Sequence, residues 1–178
     1  MLVEKDYWNG RYASNGTSGE GSYGDKLNNK LEVIKQLGEP STIFEVGCGD
    51  FNFGKHIKQL FPMSKYRGVD VSDVVVKRNT TLYGSKNISF SVSTGVYDKA
   101  ELVMCVDVLF HIIMDEDYNN VLNGLKSAWA KHLVITACED KRESAEHMNI
   151  RPFEPSFFGT PIIRQLVDEG TYLYVFTK

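Results

Sequence analysis

The chain has 178 residues, 42% hydrophobic and 24% charged, with a formal net charge of −3. That length supports a sizeable core, and the mildly acidic balance gives no electrostatic footprint for nucleic acid and no polybasic run for an anionic membrane. No apolar run approaches a bilayer span, and the opening "MLVEKDYWNG" lacks the apolar core of a secretion signal.

Residues 1–25 stand apart from the rest. Glycines at 10, 16, 19, 21 and 24 alternate with Tyr7, Trp8, Tyr12 and Tyr23. Repeated glycine opposes a long helix or a central strand, yet the aromatics are costly to leave in water. The expectation is an irregular segment that folds onto the remainder. From Lys26, apolar residues at Leu27, Leu31, Ile34 and Leu37 predict a helix closed by Gly38 and Pro40.

An alternation follows. Strand-like runs at 42–46, 66–71, 88–92, 101–106 and 132–137 are separated by helical stretches at about 53–61, 73–82 and 116–129. Several runs are almost wholly apolar, as in a parallel sheet buried on both faces. Residues 161–178 hold two β-rich runs around Asp168-Glu169-Gly170, which predicts an antiparallel hairpin. The fold class expected is α/β, a Rossmann-like, doubly wound, mostly parallel sheet with a C-terminal antiparallel hairpin and helices on both faces. One domain, 1–178, is expected, with 1–25 as a covering segment and 26–178 as the core. Cys48, Cys105 and Cys138 form no CxxC pair, and the four histidines show no ligand spacing. They read as reduced thiols of a cytoplasmic protein without a metal site.

The stretch "IFEVGCGDFNFGKHI", 43–57, carries the chemistry. Gly47 and Gly49 end the first strand of the alternation, where open parallel sheets bind ligands, and let the backbone turn and approach one. Asp70 follows Gly49 by 21 residues at the end of the second strand, where a carboxylate can accept from both hydroxyls of a ribose. A dinucleotide fingerprint would place a third glycine where Asn52 stands, and there is no P-loop run. Glu45 and Asp50 would repel a pyrophosphate and suit a cationic ligand. S-adenosylmethionine, with a sulfonium, an ammonium and no phosphate, fits that charge. Cys48 between the glycines reads as a small packing residue of the same site rather than a nucleophile.

These residues resemble the class I S-adenosylmethionine-dependent methyltransferases over nearly the whole chain. "FEVGCGD" is similar to the family's first motif, "GVDVS" to its second-strand acid, "ELVMCVDVLFHI" to its fourth strand and following loop, and "YLYVF" to its antiparallel last strand. The chain departs from the pattern at Phe51, where a third glycine is common, and at Ser93 and Thr94, where an adenine-contacting acid is common. The resemblance implies that Gly47 and Gly49 lie against the methionine and ribose portions of the cofactor. It places Asp70 on the ribose hydroxyls, Val71, Ser93 and Thr94 around the adenine, and Val106 and Asp107 on the methionine side. It also implies that the N-terminal segment closes over the cofactor, with Tyr12 and Tyr23 as contacts. More loosely, "YWNGRY", "GSYGD" and "HMNIRPF" are similar to small members found among cell-surface sugar pathways.

Methyl transfer needs alignment, exclusion of water and, for a poor nucleophile, removal of a proton. His111, in the loop after the fourth strand, is the expected base, and His147 is a second candidate. Arg151 is expected to orient an anionic group of the acceptor. "MDEDY", 114–118, reads as an acidic helix start and "EDKRES", 139–144, as a solvated charged loop. The favoured acceptor is a small molecule, with a sugar or other metabolite hydroxyl first. A protein side chain remains open, and a nucleic acid is disfavoured because no Asn/Asp-Pro-Pro-aromatic signature follows the fourth strand. A cofactor-binding subunit without turnover would share every motif up to Asp107. A nicotinamide-binding protein is opposed by the missing third glycine and by Glu45.

Overall fold

A computed structural model of the protein describes residues 2–142 and 145–178. Glu143 and Ser144, the end of the expected charged loop, lie outside the described residues. The strands are β1 Thr42–Val46, β2 Lys65–Asp70, β3 Ile88–Val92, β4 Ala100–Cys105, β5 Trp129–Cys138, β6 Ile163–Asp168 and β7 Thr171–Thr177. The helices are α1 Leu2–Ala13, α2 Gly24–Ile34, α3 Asn52–Leu60, α4 Asp73–Tyr83 and α5 Asp115–Ala128. The strands form one sheet in the order β3-β2-β1-β4-β5-β7-β6. The first five pair in parallel, while β7 runs antiparallel between β5 and β6. Fold class and hairpin are therefore as the sequence indicates.

The period of two along each strand sorts side chains into two cores. Phe44, Val103, Cys105, Leu133 and Ile135 face α5, whose Leu122 and Leu125 cover them. Their neighbours Ile43, Leu102, Met104 and Val134 point the other way, to Val33 and Ile34 of α2 and Phe53 and Ile57 of α3. A fully buried leucine or isoleucine contributes about 1.5–3 kcal/mol, so both faces must be covered for the sheet to persist. The strand β5 is longer than expected, chiefly at its N-terminal end, where Trp129 pairs with Ala100 of β4; pairing with β7 from His132 to Cys138 adds one residue at the other end.

The N-terminal segment corrects one expectation. Residues 2–13 form a helix, since only Gly10 interrupts them and the other glycines cluster after Asn15. One mid-helix glycine costs about 1 kcal/mol, which docking offsets. The Ser72 hydroxyl donates to Asn9 Oδ1 at 2.6 Å, and Lys5 pairs with Asp73 at 3.3 Å, fastening α1 to the start of α4. Residues 14–23, a non-α-helical strap with a short 3-10 turn at Glu20–Ser22, then cross the carboxyl ends of the strands.

Candidate functional site

The order of the sheet reverses at β1, whose neighbours are β2 on one side and β4 on the other. At the carboxyl ends of these strands lies a cavity floored by Gly47, Gly49, Asp70 and Val106 and roofed by Trp8 and Tyr12 of α1. The turn after β1 is built by close approach. Gly47 has φ +71° and Gly49 φ +50°. A Cβ on Gly49 would stand 2.0 Å from the Ser18 hydroxyl, and one on Gly47 2.3 Å from Val108. Phe51, where a third glycine is common, also takes the left-handed conformation with φ 65°. Its ring packs within about 5 Å of Tyr66, Tyr83 and Phe90, so burial offsets backbone strain of order 1–2 kcal/mol and the turn is preserved.

Asp70 is oriented by this turn. Its two carboxylate oxygens accept from the N–H groups of Gly49 and Ser72, each at 2.9 Å, and the residue is 6% exposed. Burial pushes its pKa up to about 6, against the pull of those N–H donors. Each oxygen keeps a lone pair for a ligand. Asn79, from α4, donates to the Gly49 carbonyl at 2.7 Å and locks the turn from beneath.

Glu45 is 2% exposed and accepts from the Tyr66 hydroxyl. Burial pushes its pKa up to about 8, so at pH 7 it is mostly protonated and supplies little negative charge. The sign of its linkage follows. A carboxyl whose folded pKa lies above its ordinary 4.5 stabilises the fold fully below that value, and this stabilisation is lost as pH rises through about 8. Asp70 acts in the same direction through about pH 6. The stability of the ligand-free protein is expected to fall between about pH 5 and pH 9, by at most about 1.4 kcal/mol per pH unit for each group, and its thermal midpoint falls with it. Glu45→Gln should flatten that fall in a scanning-fluorimetry series, and an unchanged slope would contradict the assignment.

Asp50 serves the strap instead of the cavity. Ser18 N–H donates to Asp50 Oδ2 at 3.1 Å, and Asp50 N–H donates back to the Ser18 hydroxyl at 2.8 Å. Tyr23, 42% exposed, donates its hydroxyl to the same carboxylate at 3.3 Å. Tyr12 is buried, and its hydroxyl meets that of Ser18 at 3.2 Å. Of the residues expected at the cofactor, Tyr12, Glu45, Gly47, Cys48, Gly49, Asp70, Val71, Ser93, Val106 and Asp107 line the cavity. Asp50, Tyr23 and Thr94 do not line it, because the first two hold the strap and Thr94 is exposed beyond the end of β3.

A second cavity lies on the other side of a shared wall. Trp8, Ser18, Asp107 and His111 line both. His147 lines the second one, its ring stacked on Tyr7 at 4.5 Å and on His111 at 5.7 Å, while Trp8 meets His111 edge-on at 5.1 Å. Burial among these rings pushes the His111 pKa down to about 4, and its buried Nδ1 has no hydrogen-bond partner among the described residues. Asp107 holds φ 58°, its Oδ1 accepts from the Thr136 hydroxyl at 3.0 Å, and its Oδ2 pairs with Lys30.

Arg151 is not brought to either cavity. Its guanidinium donates to the Ile112 carbonyl at 2.6 Å, to the Ile113 carbonyl and to Asp115 at 2.8 Å, and it lies over the Tyr118 ring. The structure places Arg151 as a brace on the loop after His111. Arg151→Ala is expected to cost about 1–3 kcal/mol in denaturant unfolding, since two carbonyls lose their charged donor. Tyr97 and Lys30 line the cavities without having been singled out in the sequence; Trp8, expected only to pack, and Asp117, read only as part of a helix start, line them too. A signal existed for Lys30: it falls on the apolar stripe of α2, three residues after Leu27 and four before Ile34.

A glycine turn after β1, an acid ending β2 and an antiparallel β7 between β5 and β6 define the fold of the class I S-adenosylmethionine-dependent methyltransferases. Among solved structures the chain is similar to magnesium protoporphyrin IX methyltransferase (ChlM) from Synechocystis PCC 6803 with bound SAH. The TM-score is 0.71 at 14% identity, over 98% of this chain and 97% of that one. It is similar also to the N-methyltransferase NodS from Bradyrhizobium japonicum WM9 in complex with S-adenosyl-L-homocysteine, with TM-score 0.66 at 16% identity over 98% and 97% of the two chains. The methyltransferase domain of bacterial CtHen1-CN matches with TM-score 0.65 at 16% identity, over 86% of this chain and 98% of that domain. No family model and no curated protein matches the sequence.

Proposed function

We propose that the protein is an S-adenosylmethionine-dependent methyltransferase that acts on a small-molecule acceptor, with a hydroxyl of a sugar or other metabolite as the favoured nucleophile. The observation that carries this reading is the oriented Asp70 carboxylate at the floor of a cavity whose glycine turn leaves no room for a Cβ. The cradle fits a nucleoside, and the absence of a third glycine and of a P-loop fits one without phosphate. Solved neighbours of the same fold carry SAH, which supports the cofactor. In this reading residues 1–178 act as one domain, with α1 and the strap covering the cofactor. The three buried free thiols and the charge balance support a cytoplasmic protein with no nucleic-acid partner, and no helix among the described residues is long and apolar enough to cross a membrane.

When bound, S-adenosylmethionine supplies a methyl group activated by its sulfonium. Asp70 would hold the ribose hydroxyls, Val71 and Ser93 would border the adenine, and Val106 and Asp107 would flank the methionine portion. His111 stands in the wall between the two cavities, where it reaches an acceptor placed in the second. It is neutral across the physiological range, so its Nδ1, buried and unpartnered among the described residues, can accept a hydroxyl proton once the ring turns that edge toward the acceptor, in the tautomer protonated at Nε2. A base with a pKa of about 4 cannot strip a resting alcohol, but it suffices once C–O bond formation makes that proton strongly acidic. Proton removal is thus late and concerted with transfer. His147, on the acceptor side only, backs the His111 ring and takes a secondary role.

A cofactor-binding subunit without turnover would not need a histidine in that wall. Incubation with methyl-labelled S-adenosylmethionine and a panel of sugars, phenols and amines tests the reading. Label transferred to one acceptor class is the expected result; cofactor binding with no transfer to any acceptor would favour the subunit.

A further inference from the structure

Lys30 is 1% exposed, among the deepest side chains of the molecule, and it is a cation. Burying an ammonium is costly unless it is paired and hydrogen-bonded in good geometry. Here one Nζ serves two partners from different parts of the chain. It pairs with Asp107 Oδ2, in the wall shared by the two cavities, and it donates to the Gly21 carbonyl of the strap at 2.9 Å. The strap is pressed against the same carboxylate, since a Cβ on Gly21 would stand 2.3 Å from Asp107 Oδ2 and 3.3 Å from Lys30 Nζ. Thr136 fixes the other side of Asp107: its hydroxyl accepts from the Asp107 N–H at 2.6 Å and donates to Oδ1 at 3.0 Å. Asp107 holds a left-handed backbone conformation, φ 58°, which persists only where its surroundings over-determine it.

We propose that Lys30 is a positioning residue that couples the seating of the strap, residues 14–23, to the orientation of Asp107, so that the wall between the cavities is completed only when the strap is down. The strap is also anchored by the reciprocal Ser18–Asp50 pair and by Asn52, whose side chain donates to the Ser22 carbonyl at 2.5 Å. Lifting the strap therefore exposes the cavity along the Ser18–Ser22 edge and removes one of the two partners of Lys30. The buried ion pair is then wetted, and Asp107 is held by Thr136 and a solvated Lys30 alone. Ligand entry and wall assembly become one event, governed by a side chain that touches no ligand. The effect on methyl transfer rests on the proposed function; the coupling of strap to Lys30 does not.

Hydrogen–deuterium exchange read segment by segment, with and without S-adenosylhomocysteine, tests this on wild type, Lys30→Met and Lys30→Arg. In ligand-free Lys30→Met, exchange at 18–23 is expected to rise about tenfold or more, the loss of one charge-assisted hydrogen bond, while β4, β5 and α5 stay at wild-type rates. Affinity for S-adenosylhomocysteine should fall by a similar factor, and Lys30→Arg should recover most of both changes. Strap exchange within about twofold of wild type, or a uniform rise across the whole sheet, would overturn the proposal, the latter because it marks a purely structural residue. Should Lys30→Met fail to fold, Lys30→Gln decides, since it removes the charge and keeps a polar, hydrogen-bonding side chain at the same position. Fast strap exchange with weakened affinity supports the coupling, and unchanged behaviour overturns it. If the wild type binds no S-adenosylhomocysteine, the methyltransferase reading falls, while the ligand-free comparison still decides the role of Lys30.

Discussion

Asp70→Ala is expected to weaken binding of S-adenosylmethionine and S-adenosylhomocysteine by at least about a hundredfold. Two hydroxyl hydrogen bonds to a charged acceptor are worth about 1.5–3 kcal/mol each, so losing both removes 3 kcal/mol or more, and each 1.4 kcal/mol is a factor of ten. The carboxylate is preoriented by Gly49 and Ser72 and needs no rearrangement to receive a ribose. The alanine variant also leaves those two N–H groups without their acceptor, so circular dichroism must accompany the titration. Asp70→Asn, which keeps one acceptor oxygen, should bind at intermediate strength. The affinity of the wild type carries a pH signature. Because the folded carboxyl titrates near pH 6, binding should weaken progressively below 6 as the acceptor is protonated, while a change above pH 7 belongs to Glu45, which titrates near 8 in the same cavity. A pH-independent affinity between about 5 and 8 would place the ribose elsewhere.

The second large effect falls on turnover. His111→Phe is expected to lower kcat by about 10²–10⁴, the usual contribution of a positioned general base, with cofactor affinity unchanged. Phenylalanine keeps a ring of similar shape in contact with Trp8, Phe110 and His147, so the wall between the cavities survives while the proton acceptor is lost. The low pKa of His111 adds that the pH–rate profile of the wild type should show no histidine limb between about pH 5.5 and 8. A turnover number within about threefold of wild type would mean that alignment alone drives the transfer, as an activated methyl permits. His147→Phe, which leaves the Nδ1 of His111 in place, should cost far less.

Most of the sheet was legible because its residues obey strong local rules. β1, β4 and β5 are apolar runs bounded by turn signals, and the central helices carry stripes at helical spacing. The glycine turn and Asp70 were legible because few backbones need a tight turn and an acid at that separation. What escaped the sequence depends on contacts between distant segments. α1 was hidden by the glycine content of the residues after it, and it is held by contacts with distant segments: Asn9 and Lys5 on α4, Glu4 on the Ile113 N–H and Trp8 on His111. Asp50 and Tyr23 read as ligand contacts because Asp50 is taken up by Ser18 and Tyr23, both from a strap whose path the sequence does not declare. Arg151 read as an anion receptor because the loop carbonyls it braces are invisible in a string of letters. Lys30 was the one residue with an overlooked signal, a charge on an apolar stripe.

Isothermal titration of the wild-type protein with S-adenosylhomocysteine, alongside NAD and an Asp70→Ala control, tests the central claim most directly. Micromolar binding of S-adenosylhomocysteine, lost in the control and absent for NAD, is the predicted result. A folded protein that binds no S-adenosylhomocysteine, or that binds NAD in its place, would contradict the account and reduce the glycine turn to architecture.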